Sequence, residues 1–307
     1  MLELWIILKD IILPVFIIMT IGYVLQKKFN LDVQTLSKLN IYVFVPGFIF
    51  VKLYEAQFTA SLFVNVFFFF VLYILFLFIV SYIAAKLAGF TDGKKVTFTN
   101  SIVFFNSGNY GVPVNDLVFK GDSYAMSIQV IVLTLQNLFI FSYGIFSMQS
   151  VDKGKLSALI GYFKMPVLYA MLLGILFNVW EIDLPQFMSV PVYYISDALI
   201  SIALLTLGAQ VAKLKLTSGL SKVYSSLLIR LVIGPLIALG MIYAFGVTGI
   251  TAQALLIASA MPTSVNSAVI AVEYNKYPDF AAQIVLFSTL MSTVTVTLTI
   301  YLSSLLF

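Results

Sequence analysis

The chain has 307 residues, of which 61% are hydrophobic and only 10% charged, with a mean hydropathy of +1.05. No soluble domain has that balance, so the sequence reads as an all-α, polytopic membrane protein in contact with a lipid bilayer. The formal net charge of +4 comes from lysines in short loops without a basic patch interleaved with aromatics, which argues against a nucleic-acid partner, and the absence of cysteine and histidine excludes disulfides, thiolate metal sites and the commonest general base.

At roughly 20 residues per span, ten spans are expected, near 4–26, 36–54, 60–85, 96–120, 123–148, 156–179, 190–212, 223–245, 251–275 and 279–305. The first lacks a basic leader and a small-residue cleavage site and reads as a retained span. The second is interrupted by Asn40 and Pro46, and the eighth and ninth are divided at Gly246-Val247-Thr248-Gly249. With ten spans, one face collects Lys27, Lys28, Lys38, Lys86, Lys94, Lys95, Lys153, Lys155, Lys164, Lys213, Lys215, Lys222, Arg230 and Lys276, whereas the other holds only Lys9, Lys52 and Lys120. That asymmetry places the rich face in the cytoplasm of a cell membrane, with both termini outside.

The fourth span contains Phe105-Asn106-Ser107-Gly108-Asn109-Tyr110-Gly111-Val112-Pro113-Val114-Asn115. Gly and Pro cost helix stability, and Asn amides cannot be satisfied by hydrocarbon. A kinked helix packed among neighbours would be the simpler account of one such segment. A second, Ser259-Ala260-Met261-Pro262-Thr263-Ser264-Val265-Asn266-Ser267, stands at the matching place in the ninth span. Short matches in common order support a doubled chain: Pro14-Val15 and Gly22 against Pro166-Val167 and Gly174, Gly47–Leu53 against Gly208–Leu214, and Gln129–Val132 against Gln283–Leu286. Five spans per half is an odd number, so the halves, residues 1–152 and 153–307, enter from opposite faces. An inverted repeat with broken helices at midplane is the arrangement of many secondary transporters.

At such breaks, helix starts near Val112–Asn115 and Val265–Asn266 would present partly positive ends to an anion, and the opposing carbonyl ends could hold a cation or a lysine. Candidate substrate-binding residues are Asn106, Gly108, Asn109, Tyr110, Gly111, Pro113, Asn115, Pro262, Thr263, Ser264 and Asn266. Asp116 and Asp197 are candidates for ion coupling, the first equally readable as a complement to its half-helix start and the second as a structural partner of Lys52 or a tyrosine. Gln129, Gln136, Asn137, Gln210 and Gln283 read as hydrogen-bonding glue between helices, and Phe67–Phe70 as lipid contact. Trp5 and Trp180 read as interface anchors.

Over essentially its whole length the chain resembles the auxin efflux carrier family, the bacterial relatives of plant PIN carriers. The likeness rests on ten spans in a five-plus-five inverted repeat, on Asn106-x-Gly108-Asn109-x-Gly111-x-Pro113, and on the second proline crossover at Pro262. It implies a fold like that of sodium/bile-acid symporters and sodium/proton antiporters, with helices 4 and 9 broken and crossed. Spans 1, 2, 6 and 7 would then be a scaffold, spans 3–5 and 8–10 a transport domain, and a homodimer would form through the scaffold. It implies small carboxylates such as malate, malonate or auxin-like acids as substrates, with no enzymatic activity and no cofactor. The short loop Ser150–Lys155 lacks the long insert of many plant members, and the crossover lacks the paired aspartates of the antiporters.

The leading expectation is therefore a secondary carrier of small organic anions working by elevator-like or rocking alternating access. A sodium-coupled symporter and a channel or transport-derived sensor are the alternatives. No Gly-x-x-x-x-Gly-Lys-Ser/Thr loop exists for ATP-driven transport. Intramembrane proteases of the zinc and serine types need histidine, and the only Gly-Asp pair, Gly121-Asp122, lacks its partner motif.

Overall fold

A computed structural model describes residues 2–55, 60–149, 166–213 and 221–307. The described residues are organised as helices α1 (Glu3–Phe29), α2 (Val33–Tyr54), α3 (Ser61–Leu87), α4 (Asp92–Val103), α5 (Val112–Phe119), α6 (Ser123–Met148), α7 (Pro166–Val179), α8 (Gln186–Lys213), α9 (Lys222–Ala244), α10 (Gly249–Ser259), α11 (Val265–Glu273) and α12 (Pro278–Leu306). Seven of them, α1, α2, α3, α6, α8, α9 and α12, are long and apolar enough to cross a membrane. The other three expected spans are the two with internal breaks, α4 with α5 and α10 with α11, and the one ending in α7. The loop Ser150–Lys155, the boundary at 152/153, residues 156–165 and the lysines Lys153, Lys155, Lys164 and Lys215 lie outside the described residues.

Local chemistry sets the helix ends. Asp32 caps α2: its Oδ1 accepts from the Gln34 amide at 3.1 Å and its Oδ2 from the Thr35 hydroxyl at 2.6 Å. The Thr35 hydroxyl holds this loop carboxyl below the usual carboxylate range. Asp122 caps α6 in the same way, accepting from the Ala125 amide at 2.8 Å.

Four π-helical turns interrupt the helical rise at Leu8–Ile12, Asn40–Phe44, Ser107–Gly111 and Ile229–Ile233. Each ends two residues before a proline: Pro14, Pro46, Pro113 and Pro235. The cause is steric. A proline ring collides with the carbonyl four residues earlier, here Asp10, Tyr42, Asn109 and Leu231, and offers it no N–H, so the preceding turn widens. A fifth π turn, Ile140–Gly144, has no proline after it; Gly144 packs there on the Phe104 ring, which a Cβ would approach to 2.9 Å.

Glycines bring α1, α2, α7 and α8 into backbone contact. A Cβ on Gly22 would lie 2.1 Å from the Leu205 carbonyl oxygen, and one on Gly208 would lie 1.9 Å from that of Met19, so α1 and α8 touch along both. Gly174 of α7 meets the Phe50 carbonyl of α2 in the same manner, at 2.9 Å. One apolar core, running from Ile12 to Ile300, takes residues from α1 and α8 as well as from α3–α6 and α9–α12. The phenylalanine run divides: Phe67 and Phe68 face outward, whereas Phe69 and Phe70 are buried, Phe70 with its ring 6.5 Å from that of Phe105. Lipid contact thus accounts for half of the run. Trp5 and Trp180 are exposed, near the start of α1 and just past the end of α7.

Candidate functional site: two helix breaks and the cavity beside them

Helix α4 stops at Val103 because Phe104 turns extended, with φ −91° and ψ 106°. The chain regains a helical path only at the π turn that leads into α5. Helix α10 likewise ends at Ser259, and α11 starts at Val265 with Ser264 as its cap. The two extended pieces pair antiparallel at Phe105 and Thr263. The Asn106 amide donates to the Pro262 carbonyl at 2.7 Å, and the Ser264 amide to the Phe104 carbonyl at 2.8 Å. Each break thus satisfies part of the other's backbone, which irregular chain away from water requires.

Side chains from surrounding helices take up more of these peptide groups. Gln129 of α6 donates to the Ser107 carbonyl at 2.7 Å, and Gln136 to the Val103 carbonyl at 3.3 Å. Thr263 donates through its hydroxyl to the Ser101 carbonyl at 2.8 Å, and its amide donates to the Ser288 hydroxyl at 3.1 Å. Arg230 of α9 reaches the ends of both first half-helices, donating to the Ile102 carbonyl at 3.0 Å and to the Ser259 carbonyl. Tyr73 of α3 also donates to the Ser259 carbonyl, at 3.1 Å.

Beside the breaks lies a cavity of about 40 Å³, room for about three water molecules. Asn106, Gly108, Asn109, Ser264 and Asn266 line it from the broken segments; Ser37 and Asn40 from α2, Asn137 from α6 and Gln210 from α8 complete its polar wall. No charged side chain is among its lining residues. Several of its polar atoms are buried and have no partner among the described residues: both ends of the Asn40 amide, the Asn106 Nδ2 and the Gln210 Oε1. A buried amide left unpaired is costly, so its presence in a cavity wall marks a place where a guest could supply the missing partner.

Six of the sequence candidates do not line this cavity. Tyr110 is fully buried, accepts from the Ser292 hydroxyl at 3.1 Å and stands edge-on to Phe16. Gly111 serves packing, since a Cβ there would come within 2.6 Å of the Gln129 Nε2 that reaches across to Ser107. Pro113 starts α5, Asn115 is buried inside it, Pro262 contributes only its carbonyl to the pairing, and Thr263 spends its hydroxyl on Ser101. Asp116 is half-buried on α5 and Asp197 exposed on α8, and neither lines the cavity. Lys52 pairs with Glu55 at 3.9 Å rather than with Asp197, the i,i+3 spacing on one helix favouring that partner.

Other expectations hold in part or need correction. Gln136 of α6 does join helices, donating to the Val103 carbonyl that ends α4, as Gln210 of α8 does with the Ser37 hydroxyl of α2, and Gln129 ties α6 to the π turn at Ser107; Asn137, read as the same kind of glue, lines the cavity. Arg230, counted above among loop cations, is completely buried inside α9. Its apolar neighbours Leu228, Ile229, Leu231 and Val232 were the signal for that position. The wall residues Ser37, Asn40 and Gln210 were missed as site residues because they belong to other spans and carry no motif. An asparagine in mid-span, as at Asn40, is the one sign that pointed to them.

A bundle of long apolar helices with a polar cavity at two helix breaks fits a membrane transporter, and the family match gives that class. The chain belongs to the family described as "Membrane transport protein", which matches residues 7–158 and 155–300. Over 312 aligned residues it is 27% identical to an "Uncharacterized transporter" of Methanothermobacter thermautotrophicus, covering 94% of this chain and 96% of that one. It is 30% identical over 133 residues to "Auxin efflux carrier component 6" of Arabidopsis thaliana and 29% identical over 133 residues to "Auxin efflux carrier component 1" of the same plant. Those matches cover 41% of this chain and 23% and 21% of the plant proteins. The resemblance to the auxin efflux carrier family therefore holds.

Proposed function

We propose that the chain is a secondary carrier of small organic anions, with carboxylates such as malate, malonate or auxin-like acids as its substrates. The observation that carries this reading is the uncharged, amide-rich cavity beside the paired breaks, with partnerless amide groups on Asn40 and Asn106. Amide donors bind carboxylate oxygens without a fixed charge in the wall, so release remains as easy as capture, which a carrier requires. The π turn that leads into α5, at Gly108 and Asn109, and the start of α11, at Val265 and Asn266, add partly positive helix ends to the cavity wall, each contact of this kind contributing about 0.3–1 kcal/mol.

On this reading the ten spans form a five-plus-five inverted repeat in a cell membrane, with both termini outside. Helices α1, α2, α7 and α8 are the scaffold, a homodimer forms through it, and the rest of the bundle carries the crossed breaks. The glycine contacts that tie the four scaffold helices together support that division. So does the cavity's position, because its walls come from both groups. At about 40 Å³ it is smaller than a dicarboxylate needs, so binding requires the wall from α2 and α8 to separate from the breaks. That separation is the opening step of alternating access, by an elevator-like or rocking movement.

Counterflow in liposomes tests the proposal. Protein reconstituted into vesicles preloaded with unlabelled malate should accumulate labelled malate transiently, and malonate should compete. Uptake without acceleration by internal malate would indicate a channel and overturn the carrier reading.

A further inference from the structure

The broken helices bring two carbonyl ends together as well as two amide ends, and the carbonyl ends are already occupied. Arg230, fully buried, donates through Nη1 to Ile102 in the last turn of α4 and through Nη2 to Ser259 at the end of α10, with a further bond to the Tyr73 hydroxyl. Room for it is built in: a Cβ on Gly234 would lie 3.1 Å from Nη2 and 3.0 Å from the Tyr73 oxygen. Among the described residues the guanidinium makes no ion pair with a carboxylate. A buried cation needs negative partners, and each helix C-terminus carries roughly half an elementary negative charge. Two such ends balance one guanidinium. In broken-helix transporters the same kind of carbonyl junction coordinates a coupling cation. The Arg230 guanidinium carbon also lies 5.0 Å from the centre of the Phe105 ring, and Phe105 is one of the residues that line the cavity.

We propose that Arg230 is the resident countercharge of this junction, a positioning residue that takes the place of a coupling sodium ion and gives the uncharged cavity its preference for anions. The anion half of the proposal rests on the carboxylate reading above; the sodium half does not. A planar guanidinium bridges two carbonyls at fixed spacing and keeps its charge through the transport cycle. Arg230 then offsets one negative charge of the substrate anion as the two move together.

The test uses purified full-length protein as wild type, Arg230→Lys and Arg230→Gln, melted in sodium, potassium or choline chloride. Wild type and Arg230→Lys should melt at the same temperature in all three salts, whereas Arg230→Gln should be stabilised selectively by sodium entering the vacated junction. A role in packing alone would lower the melting temperature of Arg230→Gln equally in every salt, and that result overturns the proposal. So does sodium stabilisation of the wild type, a result that needs no variant to fold. In the second arm, malonate affinity should fall by about tenfold or more in Arg230→Gln and be largely restored in Arg230→Lys, as expected for loss of one poorly screened charge. Equal malonate affinity in wild type and Arg230→Gln contradicts the anion half. If malonate and malate fail to bind wild type at all, the carboxylate reading falls, while the sodium arm still decides the role of Arg230.

Discussion

Asn40 illustrates a conflict between stability and function at a single residue. Its two amide atoms are buried without partners among the described residues, and each such atom costs about 1–3 kcal/mol. Asn40→Leu should therefore melt at or above the wild-type temperature while losing the thermal shift that malonate induces. A lower midpoint with the ligand shift intact would contradict the binding role. Asn109→Ala and Asn266→Ala, which change the facing wall, should leave folded protein in the membrane and abolish carboxylate uptake; unchanged uptake by both would move the site elsewhere. Gln129 has a different task, since its side chain satisfies the Ser107 carbonyl. Gln129→Leu should cost about 1–3 kcal/mol in chemical denaturation, the penalty of an orphaned buried carbonyl. Full stability in that variant would show that the break finds another donor.

Among the helices, the π turns and the glycine contacts were written in the sequence at different strengths. The prolines at 14, 46, 113 and 235 mark the widened turns because the steric rule behind them is local. The breaks near Asn106 and Pro262 were legible for a related reason, Gly, Pro and Asn being out of place in an apolar run. The partners were not legible, because nothing local states that Gln129 reaches Ser107 or that Arg230 reaches two helix ends at once; those contacts follow from how helices distant in sequence are packed. Glycine shows the same limit. Gly208 and Gly240 look alike in sequence, yet a Cβ on the first would collide with the Met19 backbone, whereas one on the second would meet nothing within 4 Å. Gly208→Ala should destabilise the contact of α1 with α8 by about 1–3 kcal/mol or more. Gly240→Ala should be neutral or stabilising by up to about 1 kcal/mol, as for any exposed helical glycine. Equal melting temperatures for the two variants would refute the close backbone contact.

For the whole molecule, the account has one moving interface, between the paired breaks and the wall from α2 and α8. Ile41 lies on that wall without a polar role in it, and the chain contains no cysteine, so Ile41→Cys places one thiol at the cavity in an otherwise unreactive protein. The most direct measurement is the rate at which a small membrane-impermeant thiol reagent modifies Ile41→Cys, added from either side of reconstituted vesicles, with and without malonate or malate. The account predicts modification from both sides, because the cavity opens alternately, and slowing by at least one carboxylate that shows counterflow. Modification from one side only, or rates that no transported carboxylate alters, would contradict it.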